Sequence, residues 1–91
     1  MPRARFTSHL QKFFPTLEQG ITVQGDTVAD VVQALDARYP GIASYFVDER
    51  GALRKHVNVF IGDEFVLDRT TLADRVKEDQ VVFFMQALSG G

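Results

Sequence analysis

Between Gly25 and Gly41 the chain carries a pattern that admits one structure. Thr27 stands where a helix N-cap is wanted, and Asp30 follows three residues later in the capping-box position, with Asp in place of the usual Glu or Gln. Val28, Val31, Val32, Leu35 and Tyr39 then recur at helical spacing, while Asp30, Gln33, Asp36 and Arg38 fall mostly on the other side. Pro40-Gly41 stops the run. The spacing predicts one amphipathic helix of about three turns, and everything around it has to be assembled against its apolar stripe.

The flanking segments read as strands and turns. Arg3 to Phe14, with Phe6, Leu10, Phe13 and Phe14 as its large apolar residues, reads as a first strand, although Ser8-His9 interrupts the alternation. Pro15 to Gly20 is a turn region, and Ile21 and Val23 alternate with Thr22 and Gln24 as a short second strand. After the helix, Ile42 to Phe46 reads as a short irregular or 3₁₀ segment and Asp48-Glu49-Arg50-Gly51 as a polar loop. Val57 to Ile61 is a β-branched strand, Gly62-Asp63 a tight turn, and Glu64 to Leu67 the return strand. Asp68 to Asp79 is polar, anchored by Leu72 and Val76, and Val81 to Met85 forms the last strand.

Two strands, one helix, then two or three strands is the element order of a β-grasp domain. This is an α+β architecture in which a mixed sheet of four to five strands wraps one face around one main helix. Residues 1–86 would form the domain and 87–91 a flexible, extended C-terminal tail. Strand parity sharpens the expectation. If Val57, Val59 and Ile61 face the helix, Asn58 and Phe60 face away; if Val82 and Phe84 face it, Phe83 and Met85 face away. Phe60, Phe83 and Met85 are therefore the candidates for an exposed apolar patch, the kind of surface that commonly marks a partner contact.

Composition removes most other functions. Ten basic against twelve acidic residues argue against a strongly basic nucleic-acid binder and a polybasic membrane patch. The absence of Cys excludes a disulfide framework, a thiolate metal site and a cysteine nucleophile. His9 and His56 are thin material for a metal cage, and no metal is expected. No apolar run approaches the roughly 20 residues of a membrane helix, and Met1-Pro2-Arg3-Ala4-Arg5 leads into no signal-peptide core, so the cytoplasm is the default compartment.

No catalytic constellation stands out either. Ser8-His9 is the only adjacent hydroxyl–imidazole pair, and neighbours on a strand point to opposite faces. Arg54-Lys55-His56 reads as a solvated basic strand entrance, or more sharply as a docking contact for an anionic partner. Asp48-Glu49 and Glu78-Asp79 read as loop solvation, and no Gly-rich phosphate cradle occurs. As an independent enzyme the chain looks empty, and no catalytic residue and no bound cofactor of its own are expected.

The informative feature is the end, Gly90-Gly91. At about 7% glycine, chance ends a chain in Gly-Gly only about 0.5% of the time. Without Cβ atoms such an end can thread a narrow slot and leave its carboxylate unhindered for attack. Those are properties of an acyl group that another enzyme activates. The competing reading is an incidental frayed end.

Gly25-Asp26-Thr27, the helix ending in Tyr39-Pro40-Gly41, His56-Val57-Asn58-Val59-Phe60-Ile61 and Ala87-Leu88-Ser89-Gly90-Gly91 together resemble the ubiquitin-like sulfur carriers. That family includes the small subunit of molybdopterin synthase, the thiamine sulfur carrier and the sulfur carrier of an alternative cysteine pathway. The resemblance implies that a ubiquitin-activating-enzyme-like adenylyltransferase uses ATP and Mg²⁺ to join AMP to the Gly91 carboxylate. A sulfur donor then displaces AMP and leaves a thiocarboxylate for a sulfur-accepting biosynthetic enzyme. It further implies that Leu88, Ser89 and Gly90 thread the partner's active site, and that partners bind the open sheet face carrying Phe60, Phe83 and Met85.

The chain departs from the family pattern in three places. Gln86-Ala87 stands where many members carry Pro, Lys77-Glu78-Asp79-Gln80 replaces the usual Gly-Asp turn, and Phe83 stands where many have a small or polar residue. Ninety-one residues, the Gly-Asp-Thr helix start and the long loop before Val57 fit the cysteine-pathway type best, with the molybdopterin-synthase type close behind. The alternatives are a protein modifier conjugated through Gly91 and a non-catalytic β-grasp binding module. Because Gly91 is already terminal in this sequence, no proteolytic processing is expected.

Overall fold

The computed structural model describes residues 1–86. Its elements run β1 (Arg3–Phe6), a 3₁₀ turn (Ser8–Lys12), β2 (Ile21–Thr22), α1 (Val28–Arg38), α2 (Ala43–Phe46), β3 (Val57–Ile61), β4 (Glu64–Phe65) and β5 (Val81–Gln86). The strands form one sheet in the order β2-β1-β5-β3-β4. β1 and β5 pair in parallel at the centre, and the other pairs are antiparallel. The architecture is the mixed five-stranded α+β sheet and single main helix of a β-grasp domain.

Local chemistry explains where α1 begins and ends. Asp30 N–H donates to Thr27 Oγ1 at 3.2 Å, the expected cap. The Asp30 carboxylate accepts from Asp26 N–H at 3.2 Å, one residue earlier than a reciprocal box would use. Gly25 lies so close to this first turn that a Cβ there would meet Asp30 Cβ and Val31 N at 3.0 Å. At the far end the Asp36 carboxylate accepts from Gly41 N–H at 3.1 Å and Ala43 N–H at 3.0 Å, tying the chain beyond Pro40 back onto the helix.

Val28, Val31, Val32 and Leu35 of α1 are buried against the inner sheet face, with Tyr39 and the predicted anchors Leu72 and Val76. At the end of the core nearest Gln86, three rings stack. Phe46 and Phe84 lie 4.6 Å apart, and Phe6 lies 5.9 Å from Phe84 and 6.2 Å from Phe46. Stacked rings add about 0.5–1.5 kcal/mol per pair beyond their buried area. No helix among the described residues is long and apolar enough to cross a membrane.

Three sequence expectations need correction. The first strand does not run to Phe14: it stops at Phe6, because after the Thr7 N–H to Phe84 O bond the Gln86 N–H goes to Thr7 Oγ1 and Leu10 N–H turns back to Thr7 O. Phe6 and Leu10 are both buried, and a strand could not place residues four apart at one compact position, whereas a 3₁₀ turn can. Ile42 to Phe46 contains a single α-helical turn rather than 3₁₀ structure, with Ile42 and Phe46 buried. The return strand covers only Glu64–Phe65, since the Asp74 carboxylate captures Leu67 N–H at 3.0 Å and Asp68 N–H at 2.8 Å and bends the chain away.

Candidate functional site: the open sheet face and Gln86

Alternation decides which side chains meet on the face away from α1. Val57, Val59, Val82 and Phe84 are fully buried, while Asn58, Phe60, Phe83 and Met85 are half-buried on the opposite side. The antiparallel register sets Phe60 beside Phe83 and Asn58 beside Met85, and the parallel register sets Arg5 beside Phe83. The three predicted patch residues, Phe60, Phe83 and Met85, thus share one face, and all three line an open groove of about 770 Å³ that Arg5 and Gln80 border.

The groove has directional chemistry. The Phe60 and Phe83 rings meet edge-on at 6.5 Å and 61°. The Arg5 guanidinium sits 5.9 Å from the centroid of Phe83, within cation–π range. Phe65, which sequence reasoning left out, packs on Phe60 at 4.3 Å and is 58% exposed. The sequence held the signal for it. A two-residue turn at Gly62-Asp63 pairs Phe60 with Phe65, and directly paired residues share a face. Gly62 holds φ at +62°, the left-handed backbone such a hairpin requires. Arg5 was missed because nothing local marks which strand will lie beside β5.

The last described residue, Gln86, is held from several sides. Its N–H donates to Thr7 Oγ1 at 2.9 Å. Its side-chain Oε1 lies 3.3 Å from His9 Nε2 and its Nε2 lies 3.4 Å from His56 Nε2. Just upstream, Arg69 bonds to the Arg54 and Val57 carbonyls at 2.8 Å and to Asn58 Oδ1 at 3.1 Å, stapling the basic entrance to β3. Leu88, Ser89, Gly90 and Gly91, the predicted tail residues, lie outside the described residues.

The perturbed carboxylates lie elsewhere. Hydrogen bonds from the Thr71 hydroxyl and the Thr71, Thr70 and Ala73 N–H groups lower the Asp68 carboxyl to about 2. Asp48 is lowered mainly by the Arg50 N–H, with Ala52 N–H and the Arg50 and Arg54 charges assisting. Each is a carboxylate organising its own loop. Among the described residues no group of three or more His, Cys, Asp or Glu is placed to hold a metal ion.

The family model described as the ThiS family matches residues 9–91. The chain belongs to the ThiS family. Among curated relatives, the sulfur carrier protein CysO of Mycobacterium bovis is 30% identical over 76 residues, covering 81% of this chain and 82% of the relative. A chain of the Amycolatopsis orientalis BexX/CysO complex superposes with a TM-score of 0.85 at 23% identity, covering all of both chains. The Haloferax volcanii small archaeal modifier protein 1 superposes with a TM-score of 0.68 at 20% identity over 96% of this chain and 97% of that one. The two structural likenesses establish the shared fold. Family and curated relative place this ThiS-family chain among the ubiquitin-like sulfur carriers, whose role is that of a carrier protein.

Proposed function

We propose that the chain carries sulfur as a thiocarboxylate on Gly91 and delivers it in cysteine biosynthesis. The observation that carries this reading is the ThiS-family match, which runs to Gly91 itself and is joined by 30% identity to a sulfur carrier protein CysO.

The chemistry is divided between partners. A carboxylate resists nucleophilic attack, so an adenylyltransferase first activates it. A Gly91 carboxylate oxygen attacks the α-phosphorus of Mg²⁺-bound ATP, pyrophosphate leaves, and an acyl-adenylate forms. Hydrosulfide then adds to the acyl carbon, the bond from that carbon to the bridging oxygen breaks so that AMP departs with that oxygen, and the proton of the added sulfur is lost to solvent. The product is the thiocarboxylate. This chain's contribution is presentation. Gly90 and Gly91, preceded by Leu88 and Ser89, enter the partner's slot, while Phe60, Phe65, Phe83 and Met85 seat against the partner beside it. An aromatic cluster flanked by Arg5 fits the usual composition of such anchors.

Intact-mass analysis of untagged protein tests the reading, after incubation with ATP, a purified adenylyltransferase of the ThiS-family pathway and sulfide. The expected result is exchange of one oxygen for one sulfur, mapped to the Gly91 peptide. An unchanged mass would overturn it. Reductant-resistant conjugates to lysines would instead establish the modifier role, and partner binding that survives loss of Gly90-Gly91 would favour a plain binding module.

A further inference from the structure

Gln86 is the point from which residues 87–91 continue, and its side-chain amide lies between two imidazoles, His9 from the 3₁₀ turn and His56 from the entrance to β3. An amide has one accepting end and one donating end, so its two neighbours must be in complementary states. Among the described residues His9 Nδ1 is buried without a hydrogen-bond partner. A proton there would be an N–H with nothing to receive it, so the His9 proton belongs on Nε2, where it donates to Gln86 Oε1. That choice orients the amide. Gln86 Nε2–H then donates to His56 Nε2, which has to present a lone pair and carry its own proton on Nδ1.

We propose that His9 and His56 are positioning residues that hold Gln86 from either side, and that the hold at His56 opens when that imidazole takes a proton. Protonated His56 presents an N–H to the Gln86 NH₂, so two donors face each other. Turning the amide over does not resolve the conflict, because it sets the NH₂ against the His9 Nε2–H. The surrounding charges are Lys12, one 3₁₀ turn on from His9, and Arg54, Lys55 and Arg69 beside His56. Among the described residues no carboxylate pairs with either imidazole to compensate the added charge. The inference rests on the carrier reading only for its consequence: a firmly held Gln86 fixes where the segment leading to Gly91 starts.

Proton and nitrogen spectra of the full-length ¹⁵N-labelled protein, followed from about pH 8 to about pH 5, test the hold directly across the range in which imidazoles titrate. The Gln86 NH₂ signals should move with the same midpoint as the His56 ring protons. In His56→Asn, whose amide can accept or donate at any pH, that movement should vanish. Gln86 signals that ignore the His56 titration, or that shift identically in His56→Asn, would overturn the proposal.

The consequence is read by ATP–pyrophosphate exchange with the adenylyltransferase. The carrier KM of the wild type should rise about five-fold between pH 8 and pH 6 relative to His56→Asn, the worth of about one net hydrogen bond, with kcat unchanged. Gln86→Leu should show the higher KM at both pH values. A flat ratio would remove the positioning role. No exchange with wild type at any pH would instead defeat the Gly91 reading, leaving the spectra to decide the hold itself.

Discussion

Phe83 and Phe84 are neighbours in β5 that face opposite ways, and truncating each in turn tests the parity on which the candidate site depends. Phe84 is fully buried and stacks on Phe46 and Phe6 at 4.6 and 5.9 Å. Removing such a ring costs about 3–5 kcal/mol. A domain of this length has about 5–14 kcal/mol in all, so Phe84→Ala should consume a large share of the stability. Phe83 is half-buried, with an edge-on contact to Phe60 and a cation–π contact to Arg5. Those contacts are worth about 0.5–1.5 and 0.5–1 kcal/mol at most for a site this open, so Phe83→Ala should cost about 1 kcal/mol.

Urea unfolding followed by far-ultraviolet circular dichroism reads both values, since the chain has no Trp to report fluorescence. The midpoint should fall several times further for Phe84→Ala at similar slope. In thermal melts Phe83→Ala should lose about 4–8 °C. Affinity for the adenylyltransferase should order the other way, with Phe83→Ala weakened at least tenfold if the ring is an anchor of about 2 kcal/mol. Equal destabilisation by the two substitutions would refute the assignment of faces.

Other perturbations have equally definite outcomes. Thr27→Ala removes the acceptor for Asp30 N–H and should lower stability by about 1 kcal/mol, measured by urea midpoint, with Thr27→Ser restoring most of it. Asp68 sits at about 2 against an ordinary 3.8, so its contribution is present above about pH 3.8 and is lost as pH falls through about 2. Asp68→Asn should flatten the dependence of the urea midpoint on pH within that window and leave the rest of the profile unchanged. Deleting Gly90-Gly91 should abolish the oxygen-for-sulfur mass shift while leaving the melting temperature unchanged, since among the described residues the buried core already closes between Ala4 and Phe84.

Much of the fold was legible where one local rule dominated. Thr27, the 3.6-residue spacing through Leu35 and the Pro40 stop all point the same way, so α1 could be read without its neighbours. Val57–Ile61 and the last strand, read as Val81 to Met85 and found to reach Gln86, were legible for the same reason, and their period of two sorted Phe60, Phe83 and Met85 from Val59, Val82 and Phe84. Reading failed where apolar residues continue but the backbone changes geometry. Arg3 to Phe14 has enough large apolar residues for one long strand, yet Thr7 spends its bonds on Phe84 and the chain coils so that Leu10 can be buried. The return strand after Gly62 was overextended because Asp74, seven residues beyond Leu67, supplies the acceptor that turns it.

By itself, then, the sequence determined the helix, the inward and outward sets of the two long strands, and the terminal Gly-Gly, because caps, periodicity and the missing Cβ are properties of residues and their near neighbours. Tertiary structure alone decided that β1 lies parallel to β5, which sets Arg5 over Phe83. It also brought His9 and His56 to the two ends of one amide at Gln86. Those arrangements join residues 30 to 78 positions apart, and no local pattern encodes them; they follow from which sheet order best buries the apolar faces of five strands against a single helix.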